Sequence, residues 1–165
     1  MPDANFLVYM SKAFTREDID PPERSGRVRS ASGLPPGATN YITARGAQRL
    51  KDELARIRRE PDLRERVAEL ERILDSVVVV DPPDAVSDEV VFGSTVTVEG
   101  ASHKKQTYTV VGVDELDFVP DAVSWISPIG KSLLSAGLGD RVSVGEQILG
   151  KIVKIQYRAV RFQSR

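Results

Sequence analysis

The 165-residue chain has no cysteine and a single histidine. Without cysteine there are no disulfides, no thiol catalysis and no thiolate-held metal. A reducing compartment fits, and the expectation is a cytoplasmic protein. The lone histidine, His103, lies in a polar stretch beside Lys104 and Lys105. It has no metal partner or nucleophile at useful spacing. No apolar run approaches the roughly 20 residues that span a bilayer, so no membrane role is expected. Phe6–Met10 is a short apolar patch with no basic flank before it and no small-residue cleavage site after it. It makes a poor secretory signal, and Met10 is an alternative start. Neither sign of charge dominates. The net charge of −1 leaves the chain as a whole uncommitted to nucleic acid. A phosphate-binding loop is missing too, because Gly137–Asp140 is too short and lacks a following Lys-Ser/Thr. Catalytic residues, cofactors and metals are therefore not expected.

What is present falls into three parts. Residues 1–40 are rich in Pro, Ser, Gly and charge, and bury too little apolar surface to offset ordering entropy. They read as a disordered tail. Arg24, Arg27 and Arg29 within it are a solvated linker in the plain reading and an arm for nucleic acid or an acidic protein surface in the sharper one. Residues 41–77 read as an antiparallel helical hairpin, a short coiled coil. Thr43 is a plausible N-cap, and Ala47, Leu50, Leu54 and Ile57 recur at helical spacing. Gly46 carries a cost of about 1 kcal/mol relative to Ala in a helix. Pro61 cannot continue the first helix but can open a second, whose stripe is Leu63, Val67, Leu70, Leu74 and Val77. Each helix should hold about 16 residues and reach about 25 Å.

Residues 78–165 read as an α+β domain, a small antiparallel sheet with one helix. Alternating stretches at Thr95–Val98, Gln106–Val113 and Gly150–Val160, with a shorter candidate at Val123–Ser127, are the strands. Ser127-Pro128 is a strong helix start, and Gly137 a plausible end. Asp114, Glu115 and Asp117 form an acidic cluster that suits a cation or a basic protein surface; composition alone favours a solvated turn. Acids prevail from Asp81 to Asp121 and bases from Lys131 to Arg165, an asymmetry suited to docking on a protein.

Four motifs in order resemble the bacterial GreA/GreB family of transcript-cleavage factors. They are "NYITARGAQRLKDEL" (40–54), "VVFGSTVTV" (90–98), "YTVVGVDELDF" (108–118) and "ISPIGKSLLSAGLGDRVSV" (126–144). The lead-in, "MSKAFTRED" (10–18) and "ASGLPPGATNYIT" (31–43), is more similar to the GreB branch. The resemblance implies an FKBP-like C-terminal domain that docks on bacterial RNA polymerase at the rim of its secondary channel. Ser127, Pro128, Asp114 and Glu115 would be the docking residues, in a monomer that touches nucleic acid only indirectly. It also implies a hairpin that enters the channel, where acidic tip residues hold a second magnesium ion as hard oxygen ligands. The family's acidic motif is absent between Thr43 and Val77, with several helical turns of both arms. The tip here is "RREPDLRER" (58–66), with Arg58, Arg59, Glu60 and Asp62 at the turn. In the docking loop Ile126 replaces the family's polar residue. The resemblance therefore implies an elongation regulator that binds polymerase without stimulating cleavage. Alternatives are an interaction module like short-armed Rnk, a regulator of nucleoside diphosphate kinase, and an FKBP-like prolyl isomerase.

Overall fold

The structure, a computed structural model, describes residues 34–81, 83 and 87–157. Most of the tail, including its arginine cluster, lies outside the described residues, as does the last strand beyond Tyr157. Strand β1 (Asn40–Thr43) runs directly into helix α1 (Ala44–Ile57). A 3₁₀ turn (Pro61–Leu63) leads to α2 (Arg64–Ser76), which passes straight into β2 (Val77–Val80). Then follow β3 (Ser94–Glu99), β4 (Lys105–Val111), a 3₁₀ turn (Val113–Glu115), β5 (Ala122–Ser124), α3 (Pro128–Leu133), β6 (Arg141–Val144) and β7 (Gln147–Tyr157).

Helix α1 begins where Thr43, in extended conformation, accepts a hydrogen bond from Gly46 N at 3.0 Å. This satisfies one of the free N–H groups of the first turn. The two helices have 14 and 13 residues, or about 20 Å each at 1.5 Å per residue. They are shorter than the periodicity suggests, because Pro61 opens a 3₁₀ turn rather than the second α-helix. Ala47, Leu50 and Ile57 of α1 meet Leu70 and Ile73 of α2 in one apolar cluster, with Ile42 from β1. Arg66 of α2 reaches Glu53 of α1 at 2.8 Å and Glu69 at 2.9 Å.

Strands β1 and β2 pair in parallel, with Asn40 beside Val77 and Thr43 beside Val80. This ribbon departs from the expectation that Asn40–Thr43 only leads into a helix and that Val77 closes a helical stripe. Parallel strands need a crossover connection, and here the two helices supply it.

The five-stranded sheet has the order β5-β4-β3-β7-β6. Its pairs are antiparallel except β4–β5, which is parallel. The expected all-antiparallel sheet is thus corrected to a mixed one. The turn at Val113–Glu115 carries the chain back along β4 before β5 begins, so β5 enters in the same direction as β4. Along β3, Ser94, Val96 and Val98 are buried while Thr95, Thr97 and Glu99 are partly exposed, the period-two pattern of a sheet with one covered face. Val96, Val98, Tyr108, Val110, Val142 and Ile152 join Leu133 of α3 in the second apolar cluster. Helix α3 is capped by Ser127, which accepts from Gly130 N at 3.0 Å. It ends at Leu133 rather than running to Gly137, because Ser135 and Ala136 bond the backbone of Val90 instead (Ser135 N to Val90 O 3.2 Å, Val90 N to Ala136 O 2.8 Å).

Candidate functional site

Two of the sequence motifs meet in space. Glu115 is fully buried, although it belongs to the acidic cluster. Its carboxylate accepts from Thr43 N at 3.1 Å and Gly112 N at 2.9 Å, and from the Thr43 hydroxyl. It thereby clasps the start of α1 to the end of β4. Gly46 explains itself here: a Cβ at this position would lie 2.1 Å from Glu115 Oε1 and 2.5 Å from its Cδ. Gly112 has the same need, since its Cβ would stand 2.0 Å from the Tyr41 carbonyl oxygen. The Thr-x-x-Gly of the hairpin and the Val-Gly-x-Asp-Glu of the domain are two halves of one joint. Sequence reading assigned Glu115 to docking or to a solvated turn. Burial overturns the solvated turn, and the bonds to Thr43 and Gly112 make the side chain one that positions α1. The missed signal was a glycine in the first turn of a helix that otherwise has a strong stripe.

Beside it, Asp114 is half-buried and accepts from Asn40 Nδ2 at 2.8 Å. Burial pushes the Asp114 carboxyl up, against the pull of Asn40. Burial also pushes the Glu115 carboxyl up, and its three donors oppose the shift. On the hairpin the order is reversed. The hydrogen bond from Arg66 holds Glu53 below the usual carboxylate range, and the same acids raise the Arg66 guanidinium.

The expected docking loop has a mixed fate. Ser127 accepts from Gly130 N and donates to Ser124 O at 2.6 Å, so its hydroxyl shapes the turn. Pro128 is exposed and Ile126 is half-buried. At the other end, Arg58, Arg59, Glu60 and Asp62 are all exposed at the turn between α1 and α2. Arg58 reaches Glu71 at 3.4 Å. Arg66, partly exposed, is paired with Glu53 and Glu69, which offsets one arginine of the tip's charge. His103 is exposed and sits 2.5 Å from Glu99. Among the described residues no three His, Cys, Asp or Glu side chains converge on a possible metal position. No helix among them is long and apolar enough to cross a membrane.

A family model for the C-terminal domain of the transcription elongation factor GreA/GreB matches residues 85–157. The chain is 33% identical over 135 residues to transcription elongation factor GreB of Neisseria meningitidis serogroup A, a match covering 62% of this chain and 83% of the relative. It is 44% identical over 80 residues to transcription elongation factor GreA of Pelobacter propionicus, covering 48% of this chain and 51% of that protein. A solved structure of a prokaryotic GreA/GreB elongation factor from Nitrosomonas europaea is 26% identical, with a TM-score of 0.39 over 72% of this chain and 99% of that one. The GreB match spans more positions than the share of this chain it covers, so the relative carries residues for which this chain has no counterpart. On the strength of the GreB relative and the family model, the chain belongs to the GreA/GreB family of transcription elongation factors.

Proposed function

We propose that this family member binds RNA polymerase at its secondary channel and regulates elongation without stimulating transcript cleavage. Residues 78–165 would be the FKBP-like docking domain. Pro128 and the half-buried Asp114 would lie on its contact surface, with Ser127 shaping the loop and Glu115 fixing the angle of the arm. Residues 41–77 would be a short antiparallel arm at the channel mouth.

The observation that carries the reading is the tip. Helices of 14 and 13 residues end in a turn that presents Arg58 and Arg59 alongside Glu60 and Asp62. A magnesium ion needs several oxygen ligands at short range. Two carboxylates interleaved with guanidinium groups give a weak negative field for it. The arm of about 20 Å also suits occupancy of an entrance better than a long reach. Competition with longer-armed factors follows from a shared docking surface.

The test uses purified core polymerase and an assembled backtracked elongation complex. Binding to core polymerase, no restart of the stalled complex, and displacement of a cleavage-competent factor are the expected results. Robust cleavage that disappears in a Glu60→Ala, Asp62→Ala variant would overturn the reading.

A further inference from the structure

A cleft of about 500 Å³ opens between the first turns of α1 and the face of the sheet turned away from the α3 core. Its floor is threonine: Thr107, Thr95 and Thr109, the last two with hydroxyl oxygens 3.0 Å apart. Its walls include Phe92 and Phe118. Arg45 and Arg49, one helical turn apart on α1, stand at its rim, exposed and without an ion-pair partner among the described residues. The Arg49 guanidinium lies over the Phe118 ring, 4.8 Å from its centre, which orients it beside the opening. Asp52 is engaged by Gln48 at 2.8 Å. Asp121 also lines the cleft.

We propose that this cleft binds a small molecule with a planar body and a phosphate, of the nucleoside phosphate class. The volume falls in the range of small-molecule sites, which are apolar with a few placed polar groups. Aromatic walls suit the faces of a base, and threonine hydroxyls can donate or accept at its edge. Two guanidinium groups on adjacent turns suit the several oxygens of one phosphate. The two guanidinium groups on α1 place the phosphate at that side of the cleft. A peptide fits less well. Strand β3 of the floor is paired on both edges along its length, and β4 is paired with β5 over Thr109–Val111, which leaves little backbone to receive an added strand. The cleft is formed by residues on both sides of the Glu115 clasp, so occupancy would stiffen the joint between the arm and the sheet. This inference is independent of polymerase docking and is tested on the free protein.

The full chain is titrated calorimetrically with GMP, AMP and UMP, with guanosine and inorganic phosphate as controls. The expected result is saturable binding of at least one nucleotide below about 1 mM. Guanosine and phosphate should each bind more weakly than the best nucleotide. An Arg45→Gln, Arg49→Gln variant should bind about tenfold more weakly or worse, the loss of roughly one charge-assisted contact. A Thr107→Phe variant, which fills the floor and leaves both arginines, should not bind. Far-UV circular dichroism establishes that each variant is folded. No saturation by any nucleotide up to about 5 mM would overturn the proposal. Wild-type affinity in either folded variant would overturn it as well.

Discussion

Replacing Gly46 by Ala is the sharpest test of the joint between arm and sheet. In a helix this change normally stabilises by about 1 kcal/mol. Here the new methyl would lie 2.1, 2.5 and 2.7 Å from Oε1, Cδ and Cγ of Glu115. A side chain at the surface would swing aside at little cost. Glu115 has no such freedom, because it is fully buried and three donors hold its carboxylate. Moving it breaks one or more hydrogen bonds to a charged group, worth about 1.5–3 kcal/mol each. It also leaves buried N–H groups of Thr43 or Gly112 without an acceptor. The helix gain offsets part of this, and the net loss should be about 3 kcal/mol. For a chain of this size that lowers the melting temperature by about 10 °C. The measurement is urea and thermal unfolding followed by circular dichroism. Combining Gly46→Ala with Glu115→Ala should relieve the clash, giving a coupling of about 2 kcal/mol in the double-mutant cycle. A Gly46→Ala variant as stable as the wild type, or more stable, would refute the clasp. Additive single and double variants would refute it equally.

Two further outcomes concern charge. Burial raises the folded-state carboxyl of Glu115 above its ordinary value, so the unfolded chain ionises it first as pH rises. Its contribution to stability is therefore greatest below the ordinary carboxylate value and is lost as pH rises through the folded value. Relative to Glu115→Gln, the wild type should gain stability as pH falls from neutral toward the ordinary carboxylate range; an unfolding series across that range with the opposite slope would contradict the assignment. Arg66→Ala should cost about 1 kcal/mol, since it removes a two-pronged contact to Glu53 and another to Glu69 on a partly exposed face. Added salt should shrink the difference between wild type and variant, and an unchanged unfolding midpoint at low salt would dismiss the pair as a stabilising element.

Local features were legible wherever neighbours in the chain decide them. Thr43 caps its helix because the acceptor and donor are three residues apart. Ser127-Pro128 opens a helix for the same reason, and the valines of β3 alternate because a strand has period two. The pairing of β1 with β2 was not legible, because parallel strands are brought together by a crossover of two whole helices and carry no turn signature. The direction of β5 escaped for a related reason: a strand of three residues, reached through the segment Gly112–Asp121, carries no sequence signature of which way it runs.

The same division runs through the functional residues. The absence of cysteine, the short helical stripes and the arginine-rich turn at residues 58–66 are properties of the sequence alone. They exclude thiol chemistry and set the composition of the tip whatever the packing. The role of Glu115 was decided only by tertiary structure. A glutamate in an acidic run reads as solvated because water is the ordinary partner of a charge, and only a fold that brings Thr43 and Gly112 to the same place supplies donors that replace it. Gly46 is the counterpart: its missing side chain reads as a weakness of the helix until the carboxylate that occupies its space is in view. The arginines of α1 likewise belong to a solvated face in sequence. They become the rim of a cleft because the sheet's threonine face lies opposite them, a proximity that depends on contacts far apart in the chain.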